Sequence, residues 1–146
     1  MVICIFGESC TGKSMLAKEI SKELPGKVFS GKDYLRLAKN EAIAKKMFTN
    51  LLIDAIDGEN IIYVISEREH MSFIPEGAVR VLVTAELDVI KSRFSARMGG
   101  VLPKPVEMML EKKHGCFDRE RCDIHMKSGV NSPEEIIRQI KAIERR

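Results

Sequence analysis

The sequence predicts an α/β protein, a parallel sheet with helices on both faces. Three observations carry this. Apolar, β-branched runs at residues 2–6 and 61–65, and a third at 79–83 interrupted only by Arg80, are what strands covered on both faces require. Segments with helical spacing separate these runs, and strands that alternate with helices pack as a parallel sheet between helical layers. Finally, Gly7-Glu8-Ser9-Cys10-Thr11-Gly12-Lys13-Ser14 follows the first run and opens a helical segment. This is the phosphate-binding pattern G-x-x-x-x-G-K-[ST] in its required strand–loop–helix context.

The elements follow in order. A strand over about 1–6 leads through the loop into a helix over about 13–24, with Leu16, Ile20 and Leu24 on one face. Pro25-Gly26 breaks it. A short strand spans 27–30. Residues 32–57 are helical in pattern, in one or two pieces, with Leu35, Leu37, Ala38, Ala42, Ala44, Met47, Leu51, Leu52 and Ile56 as candidate buried positions. Asp57-Gly58 ends this stretch. The run at 61–65 reads as a central strand and 79–83 as another. A helix over 87–98 stops at Gly99-Gly100. A shorter helix spans 105–113, and 123–126 is the last strand. Asn131 or Ser132 caps a final helix, with Pro133 in its first turn and Glu134 and Glu135 at its positive end.

The loop's chemistry follows from its residue types. Glycines let the backbone curl so that successive N–H groups from Gly7 to Met15 face one phosphate chain, and the helix N-terminus adds positive potential. Lys13 brings a full charge to the outer phosphates, and Ser14 brings a hydroxyl to Mg²⁺. The loop itself calls for a nucleoside triphosphate with Mg²⁺; the sequence lacks the Asn-Lys-x-Asp-type base reader that a resemblance to GTPases would bring, and the expected ligand is ATP. Cys10, beside Lys13, is expected to be sensitive to alkylation.

Bulk properties narrow the class. A chain of 146 residues with 45% hydrophobic and 31% charged residues fits one globular domain with a single three-layer core. The net charge of +3 suits anionic small molecules and is too small to argue for nucleic acid. Between Lys91 and Arg121 the basic residues are interrupted by Glu107, Glu111, Asp118 and Glu120, with only Phe94 and Phe117 as aromatics, too few for a stacking platform. No apolar stretch is long enough to span a membrane. Cys4 lies in the first strand and Cys10 in the loop, placements that suit a reduced, cytoplasmic chain. His114, Cys116, Cys122 and His125 raise a zinc site, but their spacing is not that of a zinc knuckle, and Cys122 alternates with Ile124 and Met126 as core residues of a strand do.

In parallel sheets ligands sit beyond the carboxyl ends of the strands. There, Ser30-Gly31-Lys32-Asp33-Tyr34-Leu35-Arg36 resembles the S-T-G-D-M-L-R segment of adenylate kinase. The resemblance implies that Arg36 holds an acceptor anion, which its planar fork suits. The strand 81–85 followed by Arg93 and Arg97 is similar to the nucleoside monophosphate kinase pattern that leads into a lid, with both guanidinium groups on one helix face. Gly99-Gly100 then reads as a lid hinge. Cys122 to Gly129 and Ser132 to Ile137 resemble the final strand, turn and helix of dephospho-coenzyme A and cytidylate kinases. Together these imply the three-layer P-loop kinase fold with strand order 2-3-1-4-5, an acceptor segment over about 30–58 and a lid over about 97–121.

Two departures stand out. Adenylate kinase carries D-G-[FY]-P-R after its third strand, whereas this chain has Ser66-Glu67-Arg68-Glu69-His70, closer to the acidic-Arg pair of thymidylate and deoxynucleoside kinases. The lid segment Val101-Leu102-Pro103-Lys104-Pro105-Val106 lacks the further Arg and the Asp-Asp-Asn cluster common in short-lid kinases. The resulting expectation is transfer of the γ-phosphoryl group of ATP to a small acceptor, a nucleoside monophosphate or nucleoside. Lys13, Arg36, Arg93 and Arg97 would neutralise charge, and Asp33 or Glu67 would serve a hydroxyl acceptor as base. The alternative is an ATP-binding regulatory protein without efficient transfer.

Overall fold

The structure, a computed structural model, describes residues 1–144. Five strands form one parallel sheet: β1 (Val2–Phe6), β2 (Lys27–Ser30), β3 (Ile61–Ile65), β4 (Val79–Thr84) and β5 (Ile124–Lys127). Their order is β2-β3-β1-β4-β5, the expected arrangement. The register aligns Ile3 with Ile62, Cys4 with Tyr63, and Phe6 with both Ile65 and Leu82.

Strand alternation sends successive side chains into two cores. Ile3, Ile5, Ile62, Val64, Val81 and Val83 face α1 (Lys13–Glu23) and α5 (Pro133–Glu144), meeting Leu16, Ile20, Ile136 and Ile140. Val2, Cys4, Phe6, Ile61, Tyr63 and Ile65 face the opposite layer, which contributes Ala44, Phe48, Leu52 and Ala55 from α2 (Glu41–Ala55). Burial pushes the Cys4 thiol up to about 12, as expected of a thiol held between apolar layers. A smaller third cluster joins Cys10 and Ala85 to Ile90 of α3 (Leu87–Arg97) and Leu110 of α4 (Lys104–Lys113).

Residues 32–57 divide into a 3₁₀ turn, Asp33–Leu37, and α2. Asn40 supplies the break by accepting a hydrogen bond from Ile43 N at 3.1 Å as the cap of α2. The buried stripe of this stretch differs from expectation. Leu35 and Met47 are 39% and 44% exposed, and Ala42 is exposed, whereas Tyr34 and Phe48 are buried. Aromatic packing decides the rotation: Phe48 contacts Tyr63 at 4.8 Å and Phe73 at 5.2 Å between ring centres. A second 3₁₀ turn, Arg68–Phe73, follows β3.

The cap of α5 is Ser132: its hydroxyl accepts from Glu135 N at 3.3 Å, as a capping serine does, and donates to Glu135 Oε1 at 3.4 Å. Asn131 instead turns its side-chain oxygen back to Lys127 N. Cys122 does not share the core of Ile124 and Met126; it packs from the opposite side. Among the described residues, no helix is long and apolar enough to cross a membrane.

Candidate functional site

The phosphate loop turns between β1 and α1 at the sheet's carboxyl edge. Gly7 sits so close to β4 that a Cβ there would lie 2.2 Å from Val83 O. Gly12 has φ +103, and open space surrounds the position of a side chain there. Both features create a backbone cradle that a side chain would fill or distort. Cys10 also takes a left-handed conformation, φ 65. Thr11 is fully buried, and its hydroxyl donates to Glu8 O at 2.9 Å.

Lys13 is 5% exposed and its ammonium donates to Glu8 O. Burial lowers its pKa to about 8; the nearby Arg97 pushes the same way, against Cys10 and Glu8. A buried ammonium with one carbonyl partner is poorly compensated, and a polyphosphate would supply the missing charge. Ser9, Cys10, Gly12, Lys13, Ser14, Met15, Ser66 and Arg97 line a cavity of about 170 Å³ at this point. Thus Arg97, which lies far along the chain, joins the loop. These residues fit a phosphate chain. Ser14 lines the cavity, and its hydroxyl would serve as a ligand to Mg²⁺ there.

Arg93 points elsewhere. Its guanidinium donates to Cys10 O at 3.0 Å and to Ser128 Oγ at 2.8 Å. It ties the loop to the turn after β5. The four-residue spacing of Arg93 and Arg97 therefore serves two jobs, one as a brace and one as a cation at the phosphate cavity.

Asp33 and Arg36 meet each other. Asp33 Oδ2 accepts from Ser30 N at 2.9 Å, and Asp33 Oδ1 accepts from Arg36 at 3.1 Å. Glu67 is exposed, with Lys113 Nζ at 3.9 Å from its carboxylate. Its neighbour Arg68 pairs with Glu120 at 3.2 Å. Asp33, Arg36 and Glu67 are absent from the lining of the phosphate cavity.

Sequence reasoning missed the role of Glu8. Its side chain is 11% exposed. One carboxylate oxygen lies 3.0 Å from His114 Nδ1, and the other accepts from Gly115 N at 3.0 Å. The segment that returns from α4 is thereby tied to the loop. The four candidate zinc ligands have other partners. His125 Nε2 lies 2.7 Å from Thr84 Oγ1, and Cys116 and Cys122 pack against the core. Among the described residues, no three His, Cys, Asp or Glu side chains converge on a metal position.

No family model matches the chain, and no curated protein matches it in sequence. Solved structures resemble it in fold. An uncharacterized protein from Eubacterium ventriosum superposes with a TM-score of 0.70 at 18% identity, over 100% of this chain and 99% of that one. A shikimate kinase from Acinetobacter baumannii in complex with shikimate gives 0.63 at 12% identity, covering 98% and 92%. A gluconokinase from Sinorhizobium meliloti gives 0.58 at 15% identity, covering 99% and 91%. At these identities the likeness establishes the three-layer P-loop fold.

Proposed function

We propose that this chain is an ATP-dependent phosphotransferase acting on a small acceptor. One observation carries the reading: the loop backbone, the buried Lys13 ammonium and Arg97 converge on one small cavity at the carboxyl end of β1. Kinases among the fold's neighbours support it. In the reaction, the acceptor oxygen attacks the γ-phosphorus, the bond to the β–γ bridging oxygen breaks, and ADP leaves. Mg²⁺ bound with the nucleotide would neutralise phosphate charge. Lys13 and Arg97 stabilise the charge spread over the γ-oxygens. Arg93 holds the loop in shape. The domain reads as a single unit with an acceptor segment over about 30–58 and a lid over about 97–121.

The local sequence patterns favour a nucleoside monophosphate or nucleoside as acceptor. The Asp33–Arg36 pair weighs toward a hydroxyl, because Arg36 is engaged by a carboxylate and Asp33 stands beside it as a proton acceptor. Thermal shift with ATP·Mg²⁺, followed by ADP production with a panel of acceptors, tests the reading. We expect stabilisation by ATP and an acceptor-dependent rate, with Lys13→Ala silent in both assays. Asp33→Asn and Glu67→Gln separate the acceptor classes: a hydroxyl acceptor needs one of them, and a monophosphate needs neither. ATP binding with no transfer to any acceptor would instead favour a regulatory nucleotide-binding role.

A further inference from the structure

A second cavity lies beside the acceptor segment. It is a groove of about 330 Å³ between the turns that follow β2 and β3 and the amino-terminal half of α2. Open α/β sheets place ligands beyond strand ends of this kind. Its polar lining balances in charge: Lys32 and Lys45 face it, as do Glu41 and Glu69. Thr49 and Ser72 add hydroxyls. Among the described residues, no arginine lines it. His70 closes the inner wall at 4% exposure, and its Nδ1 is buried without a partner. No neighbouring group engages its other nitrogen more closely than the Glu69 carboxylate at 3.8 Å.

This chemistry discriminates between acceptors. A nucleoside monophosphate brings a dianion and a flat base. The dianion calls for an arginine fork or a net positive wall, and neither is present. The base calls for a free aromatic face. Tyr34 is 3% exposed and lies against Phe48 at 5.6 Å and Phe73 at 4.8 Å, and the half-buried Phe73 of the lining packs in turn on Phe48 at 5.2 Å, so the core already engages both rings. Carboxylates, ammonium groups and hydroxyls in alternation suit a ligand that both donates and accepts at many points and has no net charge. Each ligand hydroxyl can give a proton to Glu41, Glu69, Thr49 Oγ1 or Ser72 Oγ, the last two having donated their own protons to Lys45 O and Glu69 O, and receive one from Lys32 or Lys45. We infer that this groove holds the acceptor and that the acceptor is a polyhydroxylated molecule of the sugar or cyclitol class. The inference rests on the phosphotransferase reading above.

The test is saturation-transfer NMR on the full chain with ADP·Mg²⁺ added. One set of probes is D-glucose, D-sorbitol and myo-inositol; the other is cytidine and CMP, all at millimolar concentration. Saturation of at least one polyol is expected, weakened about thirtyfold by the double variant Glu69→Ala with Thr49→Val, since two lost hydrogen bonds of about 1 kcal/mol each convert to that factor. ADP stabilisation of the same variant should match the parent, which shows that it is folded. Saturation of cytidine or CMP alone, silence from every polyol, or polyol binding that ignores the double variant would each overturn the inference. ADP that fails to bind the parent chain would overturn the phosphotransferase reading, and the acceptor role with it.

Discussion

Glu8 and His114 are joined across 106 residues of chain by a 3.0 Å contact between carboxylate and imidazole. The second position of the phosphate loop therefore anchors the segment that follows α4. Gly115 N donates to the other carboxylate oxygen, so one side chain holds two points of the returning chain. Replacing Glu8 with Ala removes both contacts and leaves the Gly115 N–H to find water. We expect a loss of about 1–3 kcal/mol in stability and weaker ADP binding, read by thermal melts and calorimetry. Glu8→Gln keeps the size and one acceptor oxygen and should lose less. Melts that are identical for Glu8→Ala and the parent would refute the anchoring role.

Lys13 gives a pH dependence with a definite sign. Burial holds its pKa at about 8, against an ordinary value of 10.5. Between those values the unfolded chain binds more protons than the folded one, so the stability of the nucleotide-free protein rises with pH across that window. Nucleotide binding runs the other way. Phosphate favours charged Lys13, so affinity for ADP·Mg²⁺ should be full below about 8 and fall above it, by up to about tenfold per pH unit. Lys13→Met should bind weakly and without that slope. An affinity in the parent chain that stays flat from neutral pH to well above the Lys13 pKa would count against a charged Lys13 at the phosphates.

Gly7→Ala tests how closely the loop approaches the sheet. The added methyl would meet the Val83 carbonyl at 2.2 Å, and that carbonyl belongs to the backbone of β4. The loop or β4 must move. We expect a stability loss above about 2 kcal/mol together with loss of ADP binding. Retained ADP affinity would show that the loop can relax away from β4.

Phe48→Ala should cost about 3–5 kcal/mol in chemical denaturation, because Phe48 is fully buried among aromatic rings. Met47→Ala, at a position 44% exposed, should stay within about 0.5 kcal/mol of the parent. The reverse order would restore the helix rotation expected from sequence.

The strands were legible because burial on both faces leaves an uninterrupted apolar run, as at Ile61–Ile65. The phosphate loop was legible because its glycines and lysine are local in sequence. The buried face of α2 was not, since Met47 and Phe48 are both apolar and only the aromatic neighbours Tyr63 and Phe73 select between them. The turn Arg68–Phe73 carries no helical period to read. Glu8 in sequence is an acid at a variable loop position; its partners lie more than 100 residues away. Arg93 and Arg97 share a helix face in sequence, and only tertiary placement assigns one to Ser128 and the other to the phosphate cavity.

Cys10 belongs to two structures at once. It forms part of the phosphate loop, yet its side chain is 6% exposed and packs with Ala85, Ile90 and Leu110. This burial also works against the alkylation sensitivity expected from its place beside Lys13. Helices α3 and α4 thus grow their own small apolar centre around a residue of the loop they cover. The pairs that Lys91 makes with Glu107 and Glu111 fasten the same two helices at the surface. A bulkier residue at position 10 would therefore act at a distance. It would pry the α3–α4 unit off its seat, and a loosened pair of helices would have its origin in the nucleotide cradle.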